Sequence, residues 1–259
     1  MNAINNILSK GASSTKYMAT AALAITAVTA LPDGANAATL DFASLKAAWV
    51  SPSGGNVISN NTNPTPVEGT TTASINWGGD TLGVSGYDFT FDSDPVPSPA
   101  VDVDTPFTLG EFVHRNQTIT SNTAIDTVNL QLSGDIRLDE GVSKAAMFNF
   151  LFSHTETPNN ATPCEFEDSP PCGDGVTISM LNTTDTFNVD SVAYTLTLNG
   201  FIPEGGTEPD TFFFSAENAN NSATLQGEFT STVIPLPAAG WMLLAGIGGL
   251  AAMRRRKKV

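Results

Sequence analysis

Between residues 45 and 229 the chain is built from short runs in which apolar and polar side chains alternate with a period of two. Leu45, Ala47 and Trp49 share one face, as do Ala73, Ile75 and Trp77, and Tyr87, Phe89 and Phe91. Further along come Val128, Leu130 and Leu132, then Phe148, Phe150 and Phe152, and Val176, Ile178 and Met180. Val192, Tyr194, Leu196 and Leu198 follow, and then Leu225, Gly227 and Phe229. Adding Phe107–His114 and Thr211–Ser215, the pattern predicts about ten strands. The stretches between them, Ser51–Gly69, Asp92–Pro106, Thr155–Asp174 and Pro203–Asp210, are rich in Gly, Pro, Asn and Ser and read as loops. No segment keeps helical spacing for three turns, although Lys46 and the local Ala content leave a helix open for the first element. Many short alternating strands predict an all-β fold, an antiparallel β-sandwich or jelly roll in a single domain over about residues 38–233.

Both ends break this pattern. Residues 1–37 carry Lys10 and Lys16, an uncharged apolar run from Met18 to Leu31, helix-breaking Pro32 and Gly34, and then Ala35-Asn36-Ala37. That order predicts a signal peptide cut by signal peptidase between Ala37 and Ala38, with a retained anchor as the alternative. Residues 234–259 run Ile234-Pro235-Leu236-Pro237, an uncharged stretch from Ala238 to Met253, and five consecutive basic residues from Arg254 to Lys258. At about 1.5 Å per residue the uncharged stretch makes a helix of roughly 24 Å, short against about 30 Å of hydrocarbon. The basic cluster favours a cytoplasmic C-terminus and an exported domain, so the segment predicts a transient inner-membrane anchor.

Charge sharpens the picture. The chain has 11 Lys plus Arg and 26 Asp plus Glu, a net charge of −15. Only Lys46, Arg115, Arg137 and Lys144 are basic between residues 38 and 233, against every acid except Asp33. A domain this acidic repels phosphate backbones, which excludes nucleic acid as a partner.

Candidate chemistry is sparse. Cys164 and Cys172 are close in sequence, and in an oxidising compartment they predict a disulfide stapling the loop; zinc ligation lacks the C-x-x-C spacing and has only His154 nearby. The chain has two His. His114 shares the face of Phe112, and His154 extends that of Phe148, Phe150 and Phe152, so each reads as a strand-end imidazole bonded to Asn116 or to backbone. Glu156-Thr157-Pro158-Asn159 reads as a turn whose Thr and Asn satisfy loop backbone groups. Two acidic groups, Asp88, Asp92, Asp94, Asp102 and Asp104, and Glu165, Glu167, Asp168 and Asp174, are candidate calcium ligands. Neither follows the EF-hand or nonapeptide pattern, and the simpler reading is a solvated acidic surface. There is no G-x-S-x-G elbow, and no cofactor is implied.

Two family resemblances rest on these residues. Pro235-Leu236-Pro237-Ala238, followed by Gly240-Trp241, a small-residue stretch and an Arg-rich tail, resembles the PEP-CTERM sorting domain in its VPLPA-type variant, with Ile234 in the usual place of Val. The resemblance implies recognition by exosortase and cleavage near the Pro motif. The central chain resembles the THxN family of PEP-CTERM proteins. The residues that carry it are Trp49, Gly54-Gly55, Ile75-Asn76-Trp77-Gly78, Ser85-Gly86-Tyr87-Asp88-Phe89, Gly110 to Asn116, Glu156 to Asn159, Cys164, Cys172 and Asp174. Phe112, His114 and Asn116 match the motif that names the family, and Val113 stands where its Thr would be. This likeness implies an exported β-protein and no particular reaction.

Three functions compete. A structural or adhesive protein of the cell surface or extracellular matrix, associated with exopolysaccharide in biofilm, fits the two address segments and the absence of catalytic motifs. A carbohydrate-binding module would need the ring faces of Trp49, Trp77 and Tyr87, which instead alternate as core positions do. A hydrolase would use Glu156 and Asp174 as its carboxylate pair, and its chemistry would depend on their separation. The first is the expectation: not an enzyme, exported through the inner membrane and delivered to the cell surface or medium.

Overall fold

The computed structural model describes residues 38–60, 72–79, 82–138, 141–167, 169–180, 186–189 and 191–234, with helical residues at 242, 245–250 and 253–254. All of these lie in one compact unit, Ala37–Val259. The sorting residues Pro235, Leu236, Pro237 and Ala238 and the cleavage residue Ala37 lie outside the described residues. Among the described residues no helix is long and apolar enough to cross a membrane.

In chain order the strands are β1 (Thr39–Ser53), β2 (Val57–Asn60), β3 (Thr72–Gly78), β4 (Val84–Phe91), β5 (Val96–Asp102), β6 (Pro106–Asn116) and β7 (Thr127–Leu138). They continue with β8 (Val142–Thr155), β9 (Asp174–Met180), β10 (Phe187–Val189), β11 (Val192–Pro203), β12 (Phe212–Ser215) and β13 (Ala219–Val233). One sheet has the order β12-β9-β8-β7-β1-β5, the other β10-β11-β13-β6-β4-β3-β2. The pairings described are all antiparallel, as β1 with β7 and β4 with β6. The inner faces meet in one apolar cluster, where Trp49 of the first sheet packs on Tyr87 of the second at 5.4 Å and Phe152 packs on Phe112 at 5.5 Å. The fold is all-β and sandwich-like, with the alternating apolar positions forming its interior.

Local propensity yields to pairing in the first element. Lys46 and the nearby Ala residues left a helix open, but β1 is a strand lying between β7 and β5. Its register shifts between Ala43 and Lys46, where Ser44 takes φ 55°. The Asp94 carboxylate accepts the N–H groups of Ser44 and Leu45 at 3.0 and 3.3 Å and holds this bulge. One extra residue flips the parity, so Leu40 and Phe42 face inward before it and Leu45, Ala47 and Trp49 after it.

Two stretches read as loops contain strands. β2 lies within Ser51–Gly69, and β5 within Asp92–Pro106. β5 carries Pro97 and Pro99, and it sits at a sheet edge, where a missing N–H breaks no ladder. The loop readings of residues 156–173 and 204–209 match the structure, with β12 beginning at Phe212.

Candidate functional site

The site lies where the two sheets meet at one end of the interior. β6 presents His114 and Asn116, β4 presents Tyr87 opposite His114 in register, and β8 presents His154 across the gap. After β8 the chain loops through residues 156–173 and returns as β9, whose first residue is Asp174. The Cys164–Cys172 disulfide closes this loop. Thr157 donates its N–H to Asp174 Oδ1 at 2.9 Å, and its hydroxyl donates to Gly173 O at 2.9 Å. The start of the loop thus seats the carboxylate at its end.

Alternation dictates that both imidazoles point inward, and they do. His114 is fully buried, and the two rings stand edge to face with centroids 5.3 Å apart. Trp77 stacks on His114 at 5.8 Å, and Tyr87 closes another side at 5.0 Å. Tyr87 Oη lies 2.7 Å from His154 Nδ1, a polar tie between the sheets. His154 Nε2 faces Glu156 Oε2 at 3.3 Å and Asp174 Oδ2 at 4.0 Å.

The polar accounting is incomplete. Neither ring nitrogen of His114 has a hydrogen-bond partner, so the expected bond to Asn116 or backbone is not made. Asn116 turns away and donates to Ser215 O at 3.1 Å. Asp174 Oδ2 and Glu217 Oε2 are also buried and unpaired. Each such group costs about 1–3 kcal/mol of desolvation, so the cluster is destabilising as it stands.

Electrostatics follow from the burial. Loss of water lowers His154 to about 4, against the nearby charges of Asp174 and Asp126. It holds His114 well below the ordinary histidine range, with His154 and Arg115 adding to the effect. Burial pushes Asp174 up to about 7, and the Glu156 charge adds to this. Burial also raises Glu156 to about 7, with the neighbouring Asp174 acting in the opposite sense. The imidazoles are therefore neutral near pH 7, the form in which histidine acts as a ligand.

No protein-family model and no curated protein matches the chain. What the site can do therefore rests on its geometry. His114, His154 and Asp174 each offer a donor atom within 4.8 Å of the others, the one such group among the described residues. A cleft of about 650 Å³, lined by Thr118, Asp126, His154, Glu156 and Asn159 among others, leads to it.

The other candidates are dispersed. Asp88 pairs with Arg115 at 2.7 Å, Asp94 caps the β1 bulge, and Asp92, Asp102 and Asp104 are exposed. These five do not converge on one calcium site among the described residues, because strand pairing and the bulge claim two of them. In the second acidic group Glu165 is exposed, Glu167 accepts the Gly173 N–H, Asp168 lies outside the described residues, and Asp174 is turned into the core.

Around Glu156 and Pro158 the turn forms as expected, but Asn159 donates to Glu217 Oε1 at 2.7 Å rather than to loop backbone. Thr118 donates to the same oxygen at 2.6 Å. Sequence reasoning weighed Tyr87 only as a sugar-facing ring or a core aromatic, and it did not name Glu217. Tyr87 alternates like a core aromatic, and Glu217 sits in a short turn between β12 and β13 with no motif around it. Val113 points to the face opposite His114, outside the cluster.

Proposed function

We propose that the chain is an exported, acidic, non-enzymatic β-protein of the cell surface or extracellular matrix, with a structural or adhesive role. The observation that carries this reading is the Cys164–Cys172 disulfide, which uses both cysteines of the chain. Such bonds persist in oxidising compartments outside the cytoplasm. The N-terminal residues 1–37 would direct export and be removed before Ala38. The PEP-CTERM-like residues 234–259 would hold the protein briefly in the inner membrane until exosortase cuts near Pro235 to Ala238. Exopolysaccharide or another matrix component is then the partner. The domain would be a jelly-roll variant of the sandwich.

Two competing readings are weaker on geometric grounds. Trp49, Trp77 and Tyr87 are fully buried, so none offers a ring face to a sugar. Asp174 is fully buried, so the Glu156 and Asp174 pair does not present both carboxylates to a glycosidic bond, as glycosidase chemistry requires.

Intact mass and terminal peptides of the protein recovered from the envelope and medium of its host test this reading. The expected product begins at Ala38, ends between Pro235 and Ala239 and carries the disulfide. A product retaining Arg254 to Val259 would overturn the sorting part of the proposal.

A further inference from the structure

We propose that His114, His154 and Asp174 bind one divalent transition-metal ion of the zinc class, which ties the two sheets together at this end of the domain, with Glu156 on the cleft side as fourth ligand. The inference is independent of the export reading, since it uses only the interior of the domain.

The donor set is two imidazoles and carboxylate oxygen. Nitrogen donors of this kind suit zinc and its neighbours, whereas calcium and magnesium prefer all-oxygen shells. The decisive feature is the unpaired state of His114 and of Asp174 Oδ2. Both nitrogens of His114 and Asp174 Oδ2 are buried without a hydrogen-bond partner, and one donor atom each from His114, His154 and Asp174 lies within 4.8 Å of the other two. A protein interior rarely leaves two such groups side by side, and one ion would satisfy both Asp174 Oδ2 and the His114 nitrogen turned toward it.

The surroundings orient these donors. Tyr87 Oη beside His154 Nδ1 can accept its N–H, which leaves Nε2 unprotonated and directed at the ion. Asp174 Oδ1 is held by the Thr157 N–H, so Oδ2 remains for the metal. Two carboxylates and two neutral imidazoles around a divalent ion carry no net charge, which suits a site walled by Trp77 and Tyr87. The donors stand up to 4.8 Å apart, and tetrahedral bonds of about 2.0–2.2 Å would draw them to roughly 3.4 Å. Small side-chain rotations achieve that closure. Because His114 comes from β6 and His154 and Asp174 from β8 and β9, the ion would crosslink the two sheets.

The test titrates the full chain, freed of metal by chelation and held in detergent, with Zn²⁺, Co²⁺ and Ca²⁺. The expected result is one zinc per chain, bound more than about 100-fold more tightly than calcium, and a tetrahedral cobalt absorption band. His114→Gln and Asp174→Asn should each weaken zinc binding by more than about 100-fold and abolish the cobalt band, while Asp104→Asn, on the exposed surface, should leave both unchanged. Near-ultraviolet circular dichroism identifies which variants keep the native fold, and the wild-type cobalt band tests the site without any variant. Failure of the wild type to bind zinc, a cobalt spectrum without the tetrahedral band, or equal zinc affinity in folded His114→Gln and Asp174→Asn would overturn the proposal.

Discussion

The alternation that places Phe112 inward also places His114 inward, and the same holds for His154 after Phe152, so the burial of both imidazoles was legible in the sequence. Their convergence was not, because nothing local says that β6 and β8 face each other at their ends. Asp174 was singled out in the sequence as a carboxylate, but its place in the interior was hidden for a different reason. It follows a polar, disulfide-closed loop and reads as one more exposed acid, but β9 begins at that residue and turns it into the core. Tyr87 shows what these contacts imply. Its hydroxyl contacts His154 Nδ1, so Tyr87→Phe should retain the fold and weaken zinc binding by about 10–100-fold, measured by competition with a chromogenic chelator. Trp49 is a purely structural counterpart. It is fully buried, stacks edge to face on Phe152 at 5.0 Å and donates to Ala73 O at 3.1 Å. Trp49→Ala should cost about 3–5 kcal/mol in chemical denaturation.

Among the elements, long strands in regular register were the most readable, and the start of β1 and the proline-bearing β5 were not. β7 and β8 run 12 and 14 residues with regular register and announced themselves through Val128 to Leu132 and Phe148 to Phe152. The first third of β1 was obscured because the bulge at Ser44 reverses which residues face inward. β5 was obscured by Pro97 and Pro99, which an edge strand tolerates and a central one does not. The bulge depends on Asp94, whose carboxylate accepts two backbone N–H groups. Asp94→Ala should therefore destabilise the domain by about 1 kcal/mol, seen as a lower denaturation midpoint with an unchanged slope. Gly134 on β7 marks where backbones approach closely, since an added Cβ would lie 2.5 Å from Ala43 O and 2.7 Å from the Phe42 ring. Gly134→Ala should destabilise by about 1–3 kcal/mol through strain.

Across the whole molecule, one loop links the covalent staple to the polar cluster. Residues 156–173 begin beside His154 and Glu156, carry the disulfide, and end at Asp174. Closing so short a ring restricts the unfolded chain by about 2–3 kcal/mol in the entropic description. The double variant Cys164→Ser with Cys172→Ser should lose about that stability in thermal unfolding. It should also bind zinc more weakly than the wild type, because the loop that seats Asp174 is loosened. The pairing was legible from the cysteine count and spacing, whereas its position beside the interior cluster required the tertiary fold. The central claim is that this cluster is a metal centre and not an accident of burial. Its most direct test is the metal content of the disulfide-intact protein purified from its host without added metal, measured by elemental mass spectrometry. The account predicts about one zinc-class ion per chain; a protein that is metal-free and takes up none when zinc is supplied would contradict it.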